Sequence, residues 1–142
     1  MMVRIIDGVD ITTAMLCEDV RPELNGKWTL LGVFPGDMSV PETPATIRLG
    51  LYLEAHVTKP YTGPLNIRFR LNDKEIMTAQ GKLESSQGFV ALPLGSVIIG
   101  FPEPGTVFVD LSTDSKNWVE VLSKKLVIGI MKDGIFIPAP TS

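Results

Sequence analysis

The sequence predicts an all-β fold, an antiparallel β-sandwich, and three observations carry that prediction. In residues 46–57 the apolar side chains Ile47, Leu49, Leu51, Leu53, Ala55 and Val57 fall on every second position, with Arg48, Tyr52, Glu54 and His56 between them. Strand geometry sends successive side chains to opposite faces, so one face is apolar and the other polar. The same pattern returns after Lys59-Pro60-Tyr61-Thr62-Gly63-Pro64, with Leu65, Ile67, Phe69 and Leu71 against Asn66, Arg68, Arg70 and Asn72. Finally, such runs recur every 8–12 residues or so between turn signals, and no segment has helical periodicity.

Taken in order, residues 1–12 form a short apolar lead with Asp7-Gly8 as a turn, an N-terminal arm or an edge strand. A strand over 13–20 ends at Arg21-Pro22. The turn that follows contains Asn25-Gly26, a strong hairpin signal because both residues accept positive φ. The next strand, 27–34, is apolar on both faces (Trp28, Leu30 and Phe34; Leu31 and Val33), which predicts a central or covered position. Residues 38–44 read as an irregular connection between sheets.

The runs 46–57 and 65–72 read as neighbouring antiparallel strands over one core. A strand over 75–83 returns beside 65–71. Two short strands, 89–94 and 97–99, flank Pro93 and Gly95, and a proline there requires an edge or a bend. Residues 106–111, with Val107, Val109 and Leu111 on one face against Phe108 and Asp110 on the other, and residues 117–122 are strands. Residues 126–131 are either a further strand or a continuation past a bulge near Ser123, and residues 138–142 are a frayed tail. These about eight or nine strands predict an immunoglobulin-like sandwich with Greek-key connections, with a small β-barrel as the alternative. The whole chain, 1–142, reads as one domain.

The 142 residues suffice for one core without a disulfide or metal. Hydrophobic residues make up 44% and charged residues 20%, the balance of a compact globular chain. Cys17 is the single cysteine, which fits a reducing compartment. The start lacks the apolar centre of a signal peptide, and no apolar run approaches the ~20 residues that span a bilayer, so a soluble cytoplasmic protein without membrane contact is expected. A net charge of −3 gives no general attraction for nucleic acid.

The chemical inventory is thin. His56 is the one histidine, and it reads more simply as a solvent-facing strand residue than as a catalytic base. A nucleophile would need that same histidine, and Cys17 reads as a small packed residue. One Cys and one His cannot supply a zinc site. Asp110, Asp114 and Asp133 could come together at a loop end as a calcium site, but they lack calcium-loop spacing, and scattered aspartates more often occupy turns. Neither GxGxxG nor GxxxxGK[ST] occurs, so no cofactor is expected. Glu18-Asp19 with Arg21 reads as a local ion pair. The best candidate for ligand or partner binding is the polar face Arg48, Tyr52, His56, Arg68 and Arg70. Side by side these would offer guanidinium forks and an aromatic ring to an anion. The proline-rich loops 35–44 and 60–64, clustered at one end, are a second candidate.

The stretch Ala14-Met15-Leu16-Cys17-Glu18-Asp19-Val20, followed by Asn25-Gly26-Lys27-Trp28-Thr29-Leu30-Leu31-Gly32-Val33-Phe34, resembles a family of small uncharacterised proteins of bacteria and their bacteriophages. The resemblance covers residues 13–34 closely and the rest as a general pattern. It implies a small immunoglobulin-like sandwich with no assigned activity and contributes no catalytic residues. The expectation is a non-enzymatic binding or structural module acting through a protein partner or as a homo-oligomer. The alternative is a binder of a small anionic or nucleotide-like ligand through the arginines.

Overall fold

Alternation sets the core. In the computed structural model, which describes residues 2–139, Leu49, Leu51, Leu53, Ala55 and Val57 are buried, and so are Leu65, Ile67, Phe69 and Leu71. Twelve strands occur among the described residues: β1 (Val3–Ile6), β2 (Val9–Cys17), β3 (Asp19–Pro22), β4 (Trp28–Leu31), β5 (Met38–Val40), β6 (Ala45–Val57), β7 (Tyr61–Leu71), β8 (Lys74–Ser85), β9 (Gly88–Phe101), β10 (Gly105–Ser112), β11 (Val119–Lys132) and β12 (Ile135–Pro138). The fold is all-β. A four-stranded sheet has the order β1-β2-β6-β9, and a six-stranded sheet has β12-β11-β10-β7-β8 with β5 added on β11. The hairpin β3–β4 is a separate two-stranded ribbon.

Inward side chains of both sheets, among them Leu16, Leu51 and Leu53 from one and Ile67, Val109 and Leu111 from the other, form one hydrophobic cluster. β9 and β8 end their sheets without pairing to each other, so the barrel alternative does not apply.

Several expectations are corrected. The long strands β6 and β7 are not neighbours: the chain crosses between sheets at residues 58–60, and the two face each other across the core. Alternation encodes which side of a strand is buried, and two strands of one sheet or two facing strands satisfy it equally well. The run 27–34 is not central. Only Trp28–Leu31 is strand, paired to β3 alone, and Trp28, Leu31 and Val33 are 37%, 37% and 42% exposed.

The connection 38–44 contains β5, which pairs in parallel with β11, so the sandwich is not purely antiparallel. The N-terminal lead is no loose arm: β1 and β2 form a hairpin through Gly8 at φ 86°, and Val9 and Ile11 are fully buried. Residues 88–101 are one strand with a bulge opposite Leu49/Leu51, and its edge position accommodates Pro93. Residues 119–132 are likewise continuous, and the bulge, at Val121 opposite Val109/Asp110, lies near Ser123 as the continuation reading expects. In the tail, Pro138 closes β12 and the Ala139 N–H donates to the Ile128 carbonyl at 3.1 Å; residues 140–142 lie outside the described residues.

The ribbon is what positions the site. Asn25 (φ 65°) and Gly26 (φ 74°) form its turn, as the Asn-Gly pair predicts. Its strand β3 passes over β6 at Gly50, where an added Cβ would lie 3.4 Å from the Asp19 Cα and from a Val20 methyl. The Cys17 sulfur, fully buried, lies 3.3 Å from the Asp19 carbonyl and 3.6 Å from that of Gly50, which ties the start of the ribbon to the sheet beneath. Burial pushes the Cys17 thiol up, so it stays protonated as a packed group.

Candidate functional site

Because β6 and β7 lie in different sheets, their outward side chains point to opposite sides of the molecule. Arg48, Tyr52 and His56 occupy the outer face of the four-stranded sheet, and Arg68 and Arg70 that of the six-stranded sheet. The structure therefore does not join the five predicted residues into one patch.

Arg68 and Arg70 are committed within the fold. Asp110, 1% exposed on β10, stands directly across from Arg68. The Arg68 Nε donates to its Oδ2 at 2.9 Å, and Arg70 donates through Nε to Oδ2 at 2.5 Å and through Nη2 to Oδ1 at 3.0 Å. Each guanidinium also stacks on a ring, Arg68 over Trp118 and Arg70 over Phe108, both 4.5 Å from the centroid. Burial pushes the Asp110 carboxyl up, but the hydrogen bonds from Arg70 and Arg68 outweigh it and hold the group below the usual carboxylate range. Asp110 draws Arg70 the other way, above its ordinary value.

Other expected groupings are also separated. Asp114 accepts the backbone N–H groups of Lys116 and Asn117, each at 2.8 Å, and these bonds hold its carboxyl far below the usual range. Asp133 sits in the β11–β12 turn at φ 53°, so the three aspartates serve three different places. The proline loops do not share an end: Pro44 precedes β6 and Pro60 follows it, about 40 Å apart for a strand of that length. His56 and the register partner of Cys17, Gly50, lie six residues apart on β6, about 20 Å, too far for a catalytic pair. Arg21 Nε pairs with Asp19 Oδ2 at 2.9 Å, as the local ion-pair reading predicts.

What remains open is the outer face of the four-stranded sheet. Three rows of side chains cross β2, β6 and β9 there: Met15–Tyr52–Pro93, Thr13–Glu54–Ala91 and Asp10–His56–Phe89. Arg4 extends the last row, donating from Nε to Asp10 Oδ1 at 2.9 Å and from Nη2 to Oδ2 at 3.3 Å. His56 and Phe89 stack with centroids 4.5 Å apart, yet Phe89 is still 80% exposed.

The outer rows carry rings and the middle row ends in the small Ala91, so a channel runs across the strands with Glu54 and Ala91 in its floor. Its walls, at Tyr52 and His56–Phe89, are four residues apart, about 13 Å. The ribbon overhangs it with Lys27 and Trp28, and the volume of this open groove is about 750 Å³. The Tyr52 hydroxyl donates to Glu54 Oε2 at 3.0 Å; burial, and then that carboxylate, push the phenol up. Of the predicted residues, Tyr52 lines this channel and His56 backs its wall; Arg48 lies on the same face beyond the ribbon crossing.

Trp28 and Phe89 were absent from the predicted face, whereas Glu54 stood on it between Tyr52 and His56. For Trp28 and Phe89 a signal was present, since each begins an apolar run directly after a turn, where a large ring has little core to enter.

Among the described residues no helix is long and apolar enough to cross a membrane, and no three His, Cys, Asp or Glu side chains group as a metal site would require. A family model described as "Family of unknown function (DUF6941)" matches residues 12–121, and the chain belongs to that family. No curated protein matches the chain.

Proposed function

We propose that this member of a family of unknown function is a non-catalytic binding module that engages a protein partner through the channel between the β3–β4 ribbon and the four-stranded sheet. One observation carries the reading: aromatic side chains that the core does not need line an open, mixed-polarity channel, with Trp28 37% and Phe89 80% exposed. Exposed rings rimmed by polar groups are the composition of recognition surfaces. A non-enzymatic role is supported by the state of the two candidate groups, since Cys17 is buried with its thiol pushed up and His56 is stacked on a phenyl ring. An immunoglobulin-like topology is supported by the crossings of the chain between sheets at residues 58–60, 86–87 and 102–104. The buried lone thiol fits a cytoplasmic setting, and the bacterial or phage setting implied by the resemblance belongs to the same proposal.

The anionic-ligand alternative has lost its main support, because Arg68 and Arg70 already hold a carboxylate. A random peptide library selected on the immobilised full chain tests the reading. Binders should weaken at least about tenfold on Trp28→Ala or Phe89→Ala and be indifferent to Arg68→Ala. A library that returns no binders, or binders indifferent to both aromatic substitutions, overturns it.

A further inference from the structure

We propose that the channel takes an extended, proline-containing peptide that carries a basic residue, an inference that rests on the reading of this face as the partner-binding site. The backbone beneath the channel is already paired. β6 is flanked by β2 and β9 over the rows that form the walls, so no sheet edge opens along the channel floor, and the free edge of β9 lies at one end of the channel. A chain lying along the channel runs across the strands and cannot pair with that edge, so its affinity comes from side-chain surfaces, which favours ring-on-ring packing over strand addition.

The dimensions suit a polyproline II segment. From β2 to β9 the channel crosses two strand spacings, about 9.6 Å, and one three-residue turn of that helix rises about 9.3 Å. Prolines at every third position would then repeat across the width of the sheet, packing against the Phe89, Tyr52 and Trp28 rings. Such a chain enters with little ordering cost, because it holds that shape when free. It also leaves its carbonyls unpaired, and the Lys27 ammonium at the rim is a donor for one of them. The Glu54 carboxylate in the floor supplies the complement for a lysine or arginine of the ligand. Aromatic walls with one acidic group at the base select for proline and positive charge together.

The probe is a labelled ten-residue peptide with proline at every third position and a terminal arginine, titrated against the full chain by fluorescence anisotropy. Binding is expected in the micromolar range, with a loss of at least about tenfold when the prolines are replaced by alanine. Trp28→Ala and Phe89→Ala should each weaken it by a similar factor. Glu54→Lys should weaken the arginine peptide and strengthen the version ending in glutamate, a reversal that general damage to the fold would not produce. Failure to bind at about 1 mM, while library-selected peptides lacking proline still depend on Trp28, overturns this inference and leaves the partner-binding reading standing. Absence of any channel-dependent peptide removes both.

Discussion

On the outer face of the six-stranded sheet, two arginines converge on one buried aspartate and each lies on an aromatic ring. On the face of the four-stranded sheet, the rings of Phe89 and Trp28 stand in solvent beside an exposed carboxylate. Both faces carry the charged and aromatic residues from which binding sites are made, yet only one has its groups still available. The difference lies in satisfaction: a charge that already holds its counter-charge in a partly buried place must break that contact before it can bind anything else. Residue type alone therefore misidentifies Arg68 and Arg70 as binders. A single aspartate on the adjacent strand is what turns them into structural groups.

The largest expected effect tests that closed face. Asp110→Ala takes the shared counter-ion from two guanidiniums, each a little over a fifth exposed, and leaves Arg70 only the more distant Glu120 at 3.8 Å. A destabilisation of about 3 kcal/mol is expected, at the low end for breaking a buried pair because the arginines can turn toward water. The urea midpoint measures it, and a loss below about 0.5 kcal/mol would mean the arginines are free after all.

The same group gives a pH signature. Its carboxyl titrates lower in the folded chain than in the unfolded one, so the unfolded state takes up this proton first as pH falls. The stabilisation is complete above the ordinary carboxylate range and is lost as the pH drops through the lower folded value. Asp110→Asn should flatten this acid limb, and wild type and variant should converge in stability as the pH falls.

A smaller effect separates the ribbon from the sheet under it. Gly50→Val puts a branched side chain where even a Cβ is already 3.4 Å from the Asp19 Cα, and overpacking of this kind costs about 1–3 kcal/mol. Because the strain lifts β3, Trp28 should move away from the channel, and peptide affinity should fall together with stability. Intact affinity in the destabilised variant would show that the ribbon is not part of the site.

Gly50 also marks how far the sequence could be read. The outward positions of β6 are Thr46, Arg48, Gly50, Tyr52, Glu54 and His56, and the one without a side chain is where another backbone passes. The alternation at Val107, Val109 and Leu111 correctly turned Asp110 outward, because facing is a local property of a strand. Which strand lies beside it is not local. The pairing of β7 with β10 joins residues 42 apart in sequence, Arg68 and Asp110, and nothing in either segment specifies the other. Strand faces were legible and strand neighbours were not, so a patch assembled from two faces was correct in its parts and wrong as a whole. The apolar ribbon misled for a related reason: hydrophobicity on both sides of a strand signals two contacts, and here the ribbon stays partly exposed, at Trp28 and Leu31.

The smallest expected effect on stability tests the open face most directly. Phe89 is 80% exposed and its ring stacks on His56, so Phe89→Ser removes little buried area and should cost no more than about 0.5 kcal/mol. If the ring were there for the fold, its removal would register in the urea midpoint as other aromatic truncations do, at about 3–5 kcal/mol for a buried one. If it is there for a partner, stability should hold while peptide affinity falls at least about tenfold. The two measurements on one variant thus oppose the two faces. Asp110→Ala should lose stability and keep the peptide, Phe89→Ser should keep stability and lose it, and a Phe89→Ser chain that unfolds readily would move this face into the same structural class as the arginine cluster.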